Sequence, residues 1–235
     1  MHSDSYKILD NPVWHALQTV HQNFALGTTN ISRYQPGTLQ ILGCENPEKA
    51  DLNTLRPWVS EGEKLFMVGK LAAPASGWTI SRRLDCIQMV CENNESLILE
   101  PTEEIITLTE ADRPEILELI NLVQPGYFYK DTPLLGNYFG IRKDNKIVAM
   151  AGERFRMTGF SEISAVATHP LHTGNRYAQM LVSHVAKSIM NEGAVPFLHF
   201  INTNARAGKV YEFLGFRERR VIPFWELIVE PLKLK

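Results

Sequence analysis

The residues with the clearest chemical potential cluster in the last third of the chain. The segment His169-Pro170-Leu171-His172-Thr173-Gly174-Asn175-Arg176-Tyr177-Ala178 joins a strand-like run, EISAVAT, to a long amphipathic stretch. It has the form of a phosphate-type loop. Free backbone N–H groups and the positive end of a helix dipole meet an anion there, and small residues let the backbone approach it. Further on, Asn204, Ala207, Tyr211, Gly215 and Phe216 recur at spacings that place polar and aromatic groups on a short helix and its exit. Two carboxylates, Glu153 and Glu162, fall in strand-like segments, and His169 and His172 flank the loop. No Ser-His-Asp order, Walker loop or metal-ligand spacing competes with these features.

These groups need elements to hold them. EIITLTEADRPEILELINLV predicts a strand followed by a helix, with Thr109 or Asp112 as caps, Pro114 near the start, and Ile116, Leu119, Ile120 and Val123 on one face. YFGIRKDNKIVAMAGERFRM predicts two strands around Lys143-Asp144-Asn145-Lys146, where Asp and Asn supply turn chemistry. A strand ending at Pro170 follows, then the loop. The next helix carries Ala178, Leu181, Val182, Val185 and Ile189 on one face, with Gly193 as C-cap. PFLHFI reads as a buried strand, ARAGKVYEFL as a short helix, and FRERRVI with FWELIVE as a closing hairpin. In the first hundred residues the spacing of Val13, Leu17, Val20 and Phe24 predicts an amphipathic helix. The runs LQIL, KLFMVGKLA and CIQMVCE predict strands.

The expected class is α+β: a mixed, mostly antiparallel twisted sheet flanked by helices, with a smaller N-terminal α+β region. The polar segment ENNESLILEPTEE suggests a division into residues 1–102 and 103–235. Hydrophobic residues make up 44% and charged residues 21% of the 235, as in ordinary globular proteins. Lys+Arg number 24 against 26 Asp+Glu, a net charge of −2, and no basic tract marks a nucleic-acid or anionic-membrane partner. The opening residues lack the pattern of a signal peptide, no window reaches the length of a membrane span, and a cytoplasmic protein is expected. Cys44, Cys86 and Cys91 form no CxxC pair and read as reduced, partly buried thiols, without a metal.

The motifs AVATHPLHTGNRYAQML and NARAGKVYEFLGF, with the element order around them, resemble the GNAT superfamily of acyl-CoA-dependent N-acyltransferases, and within it the glycine N-acyltransferase-like branch. The resemblance covers roughly residues 103–235, and the N-terminal region reads as a possible degenerate half of the same fold that supplies acceptor-site walls. It implies an N-acetyltransferase that moves an acetyl group from acetyl-CoA, as donor substrate, to a primary amine, an amino acid or other small amine. Val166, Thr168, Thr173, Gly174, Asn175, Arg176, Tyr177, Ala178 and Asn204 would then bind the cofactor. Thr173 and Arg176 depart from the superfamily pattern, which has Arg or Gln and Gly at these positions.

The resemblance also implies the catalytic pair. Tyr211 would protonate the leaving thiolate. Glu162, at the start of the strand that leads into the loop, would serve as general base, since an ammonium has no lone pair and must lose a proton before attack. Glu153 is the second choice of base. The histidine of the Thr-His-Pro step, His169, holds the loop or faces solvent. The segment QPGYFYKDTPLL is where the family builds acceptor specificity. Strand alternation puts Glu162, Ser164, Val166 and Thr168 on one face, and the strand of Glu162 is expected to splay from PFLHF. The protein is expected as a monomer or homodimer. The alternative reading is a degenerate member that binds CoA as a sensor or scaffold without turnover.

Overall fold

In the computed structural model, which describes residues 5–71, 76–93, 95, 97, 99 and 101–231, the strands of both sequence regions join one sheet. The chain forms α1 (Pro12–Gln18), β1 (Ala25–Gly27), β2 (Ile31–Tyr34), β3 (Ile41–Cys44), β4 (Lys64–Val68) and β5 (Trp78–Val90). It continues with β6 (Ile106–Leu108), α2 (Arg113–Val123), β7 (Tyr138–Lys143), β8 (Lys146–Met157) and β9 (Phe160–Thr168), then α3 (Tyr177–Asn191), β10 (Val195–Ile201), α4 (Ala205–Phe213) and β11 (Arg217–Val229). The eleven described strands lie in the order β1-β2-β3-β4-β11-β5-β10-β9-β8-β7-β6. Neighbours are antiparallel except β3/β4 and β9/β10. This is the mixed, mostly antiparallel sheet that the sequence predicts.

Local chemistry accounts for several elements. The β7/β8 turn needs two left-handed residues, and Asp144 and Asn145 adopt φ of 49° and 61°. Thr109 and Asp112 form a capping box before α2, whose Ile116, Leu119 and Ile120 are buried. α3 and α4 pack on one face of the sheet with Ile163, Leu181, Val185, Leu198 and Phe216. The other face is covered by α1, through Val13, Leu17, Phe155 and Phe197, and by α2, through Ile120, Met150 and Ala167. Cys44, Cys86 and Cys91 are buried free thiols. Among the described residues no helix is long and apolar enough to cross a membrane.

Three expectations change. α1 stops at Gln18, leaving Val20 half exposed and Phe24 in a separate 3-10 turn, so the predicted helix is one short segment. The closing hairpin is a single strand, β11. Pro223, between the two runs, pairs with Asp85 of β5 and sits one residue before the pairing with β4 begins at Phe224↔Val68. The third change concerns connectivity: β11 pairs along its length with β5, and β5 pairs on its other edge with β10. A strand from the first hundred residues therefore lies between two from the last forty-one, and one sheet holds strands from both sides of the 102/103 division. Within ENNESLILEPTEE, positions 94, 96, 98 and 100 lie outside the described residues, while Leu97 is fully buried and its carbonyl accepts from the Ser183 hydroxyl on α3.

Candidate active site

The centre of the site is a gap between two strands. β9 and β10 pair only from Phe160↔Val195 to Ile163↔Leu198, although β9 continues to Thr168 and β10 to Ile201. The cause lies on β9. Gly152 opposes Ser164 and Met150 opposes Ala167, so β9 carries one extra residue, and Ala165 sits at φ 51°. A bulge of this kind bends the strand and ends its pairing on one side. It also resets the alternation. Val166 packs with Ile163 on the α3 side while Ala165 and Ala167 face α2, so Val166 does not share a face with Glu162 as strict alternation requires.

At the end of β9 the phosphate-type loop is exposed, and its backbone is strained where the sequence departs from the superfamily pattern. Arg176, at the N-cap of α3, has φ 59°, a left-handed conformation that a glycine adopts without steric cost. No side chain caps the helix, and the N–H groups of Tyr177 and Ala178 have no partner among the described residues. The Thr173 hydroxyl donates to the Pro170 carbonyl, and the Asn175 amide donates to that of His172, so both side chains brace the loop. His169 accepts from the Leu171 N–H and packs against His172, which places it as a holder of the loop. The Tyr177 ring is buried in the core, and its hydroxyl reaches Glu103 at 3.5 Å. Beside the helix start, α3 and α4 border an open groove of about 480 Å³ lined by Gln179, Arg206 and Lys209 among others. An uncapped helix start, a strand gap with unpaired backbone and two cations beside a groove together fit an elongated anionic ligand such as CoA.

On the same side of the sheet, Tyr211 of α4 packs against Phe200 and Phe216, and burial pushes its phenol up to about 12. Its hydroxyl makes no hydrogen bond among the described residues. Asn204 caps α4, its side-chain oxygen accepting from the Ala207 N–H at 3.1 Å. That oxygen is engaged, and the amide nitrogen is free to meet a ligand.

The opposite side of the gap carries a buried polar row. Glu162 accepts two hydrogen bonds of 2.7 Å from Arg154 of β8, and its Oε1 also faces Nδ1 of His199 on β10 at 2.6 Å. Nε2 of His199 faces the Gln88 amide nitrogen of β5 at 2.9 Å. That amide donates to the Leu9 carbonyl while its oxygen accepts from Arg219 of β11, which fixes its orientation. Gln88 therefore donates to Nε2, and His199 is a neutral imidazole with its proton on Nδ1, pointing at Glu162. Burial alone would raise the Glu162 pKa. The adjacent Arg154 charge, with the hydrogen bonds from Arg154 and His199, outweighs it and holds the carboxyl at about 2.

This setting is not that of a free base. Both Glu162 oxygens are occupied, and basicity this low makes direct proton capture from an ammonium unfavourable. Glu153, the second choice, is buried and accepts from the Asn137 backbone and side chain, from Ser161 and from Arg156, so it clasps the start of β7. Arg154, His199 and Gln88 belong to no motif in the sequence. The signal was present as single polar residues in the apolar runs PFLHFI and CIQMVC, but the pairing that joins them is long-range.

Comparison with known proteins bears on this arrangement. The FR47-like protein family model matches residues 138–224, which span the β7–β11 part of the site. A GNAT-family structure from Novosphingobium aromaticivorans, described as an acetyltransferase, is 28% identical over 95% of this chain and 99% of its own, with a TM-score of 0.84. The fold is the GNAT fold. A GCN5-related N-acetyltransferase from Kribbella flavida (13% identity, 94% of each chain, TM-score 0.65) shares it. So does a GCN5-related N-acetyltransferase-like protein from Streptococcus suis (14% identity, 94% of this chain and 96% of that one, TM-score 0.61). No curated protein matches significantly. The FR47-like match and the Novosphingobium aromaticivorans structure support the GNAT superfamily, and the likeness to that structure extends through the N-terminal hundred residues.

Proposed function

We propose that the chain is an acetyl-CoA-dependent N-acetyltransferase acting on the primary amine of a small molecule, an amino acid or a similar acceptor, in the cytoplasm. The observation that carries this reading is the β9/β10 gap opened at Ala165, with Tyr211 on one face and the Glu162–His199 pair on the other. Acetyl-CoA, when bound, supplies the acetyl group as a thioester. The free edges of β9 past Ile163 and of β10 past Leu198 offer backbone partners to the amides of its pantetheine arm. The uncapped start of α3, around Gly174 to Ala178, offers N–H groups to its pyrophosphate.

The remaining chemistry is proton traffic. As the amine nitrogen bonds to the carbonyl carbon and the C–S bond breaks, one proton leaves nitrogen and one must reach sulfur. Tyr211, held protonated across the physiological range, is the donor to sulfur. The Glu162–His199 pair takes the other proton as a unit. An imidazole is in general the stronger base, and the Glu162 charge stabilises the imidazolium that forms. Gln88 yields its contact with Nε2 at that moment.

A second reading is a CoA-binding sensor without turnover, favoured by the locked state of Glu162. Free-thiol release from acetyl-CoA, measured with amino acids, polyamines and short peptides as acceptors, decides between them. Acceptor-dependent thiol supports the enzyme, CoA binding without thiol supports the sensor, and absence of CoA binding removes both.

A further inference from the structure

Resting on the acetyltransferase reading, we infer that the acceptor is an amine that carries a carboxylate on an apolar body, and that Arg154 and Gln40 bind the carboxylate. A small pocket opens on the Glu162 side of the sheet, with Arg154 and Phe224 in its lining, and His199 packs on the same Phe224 ring. Its walls are otherwise Leu39, Ile41, Phe66 and Leu84, and Tyr127 and Tyr129 cover it from the loop after α2. With Tyr127 in place the space is about 50 Å³, the scale of one polar end group. Tyr127 lies over Phe66, bonds Arg82 at the rim and is 44% exposed, so the mouth can widen by moving this one ring.

The polar groups facing this space are donors. Arg154 uses Nε and one terminal nitrogen on Glu162, and its other terminal nitrogen has no hydrogen-bond partner among the described residues. Three of the five guanidinium N–H bonds, including a pair at the far end of the fork, remain for a ligand. The Gln40 side-chain oxygen accepts from the Tyr129 hydroxyl at 2.8 Å, which leaves its amide hydrogens free. Among the described residues no acid other than Glu162 is placed to serve the pocket. Glu226 is tied to Arg82 and Ser81, and Glu63 to Arg33. A second ammonium on the acceptor, as in a polyamine, would find no counter-charge. A carboxylate finds a forked cation and an amide, and apolar walls take the carbon body.

The probes are N-acetyl-L-leucine and N-isopentylacetamide, which differ by the carboxylate alone, titrated calorimetrically into the full chain with CoA present. The carboxylate form should bind roughly 10- to 100-fold more tightly, the span expected for hydrogen bonds to a charged group. Gln40→Leu should remove most of that preference and leave N-isopentylacetamide binding unchanged, and Arg154→Lys should remove the preference as well, with circular dichroism confirming the fold. Equal binding of the two probes, or a preference that survives both substitutions, overturns the inference. Thiol release with isopentylamine as fast as with L-leucine also overturns it but leaves the acetyltransferase reading intact. Gln40-dependent binding of N-acetyl-L-leucine without thiol release from L-leucine sustains the carboxylate site and removes the enzyme reading.

Discussion

The two sides of the β9/β10 gap are built on opposite plans. On the α3 side the loop and α4 come from one short stretch of chain. The loop is exposed, and it leaves donors unpaired at the start of α3 and strain at Arg176. On the other side Arg154, Glu162, His199, Gln88 and Arg219 come from five strands and partner one another in the interior. The contrast has a physical reason. Water can serve an exposed anion site until its ligand arrives, whereas buried charges need permanent partners. A site that offers an exposed anion cradle and also holds a buried ion pair is therefore local on one side and dispersed on the other.

The strongest way to break this contrast is Glu162→Ala, which strands the Arg154 guanidinium. A loss of about 3–5 kcal/mol is expected, the range for removing one partner of a buried pair. Gly174→Ala in the exposed loop should cost far less, although Gly174 has φ 91°. Denaturant midpoints for the two variants measure the difference, and equal losses would show the row to be no more integral than the loop.

Tyr211→Phe should lower turnover about 10²–10⁴-fold while CoA affinity holds, because the ring still fills its place against Phe200 and Phe216. An unchanged rate, in an assay limited by chemistry, assigns Tyr211 to packing.

Acid sharpens the contrast at intermediate scale. The folded pKa of Glu162, about 2, lies below its ordinary value of 4.5, so its contribution is complete above about pH 4.5 and is lost as the pH falls toward 2. Glu162→Gln should flatten the stability profile in that window and leave the slope above pH 5 unaltered. Urea midpoints across pH 2–7 test this, and parallel profiles would contradict it.

The smallest effect is expected at the loop itself. Arg176→Gly removes a left-handed cost of about 1–2 kcal/mol, partly offset by glycine's greater freedom when unfolded, for a net gain of roughly 0.5–1 kcal/mol. A loss in thermal unfolding would mean that the Arg176 side chain contributes contacts of its own.

The same division governs what could be read from the sequence. Features set by neighbours in the chain were legible: the Asp144-Asn145 turn, the Thr109–Asp112 cap, the loop before α3, and Asn204 and Tyr211 on α4. The Glu162 position was legible as well, but its partners were not. Arg154 lies eight residues away across a hairpin, His199 on a parallel neighbour, and Gln88 on a strand paired only through the tertiary fold. The bulge was hidden because the residue at its left-handed position is Ala165, where a glycine would have signalled it.

The place of β5 between β10 and β11 also dictates an order of events during synthesis. By residue 90 the ribosome has delivered β4 and β5, yet the strand that lies between them is completed only at Val229. Until then the facing edges of β4 and β5 have open hydrogen-bonding rows, the kind of surface that recruits other chains. Folding of the sheet therefore waits for the final strand, and a chain cut short before Arg217 would keep both edges open for its whole lifetime.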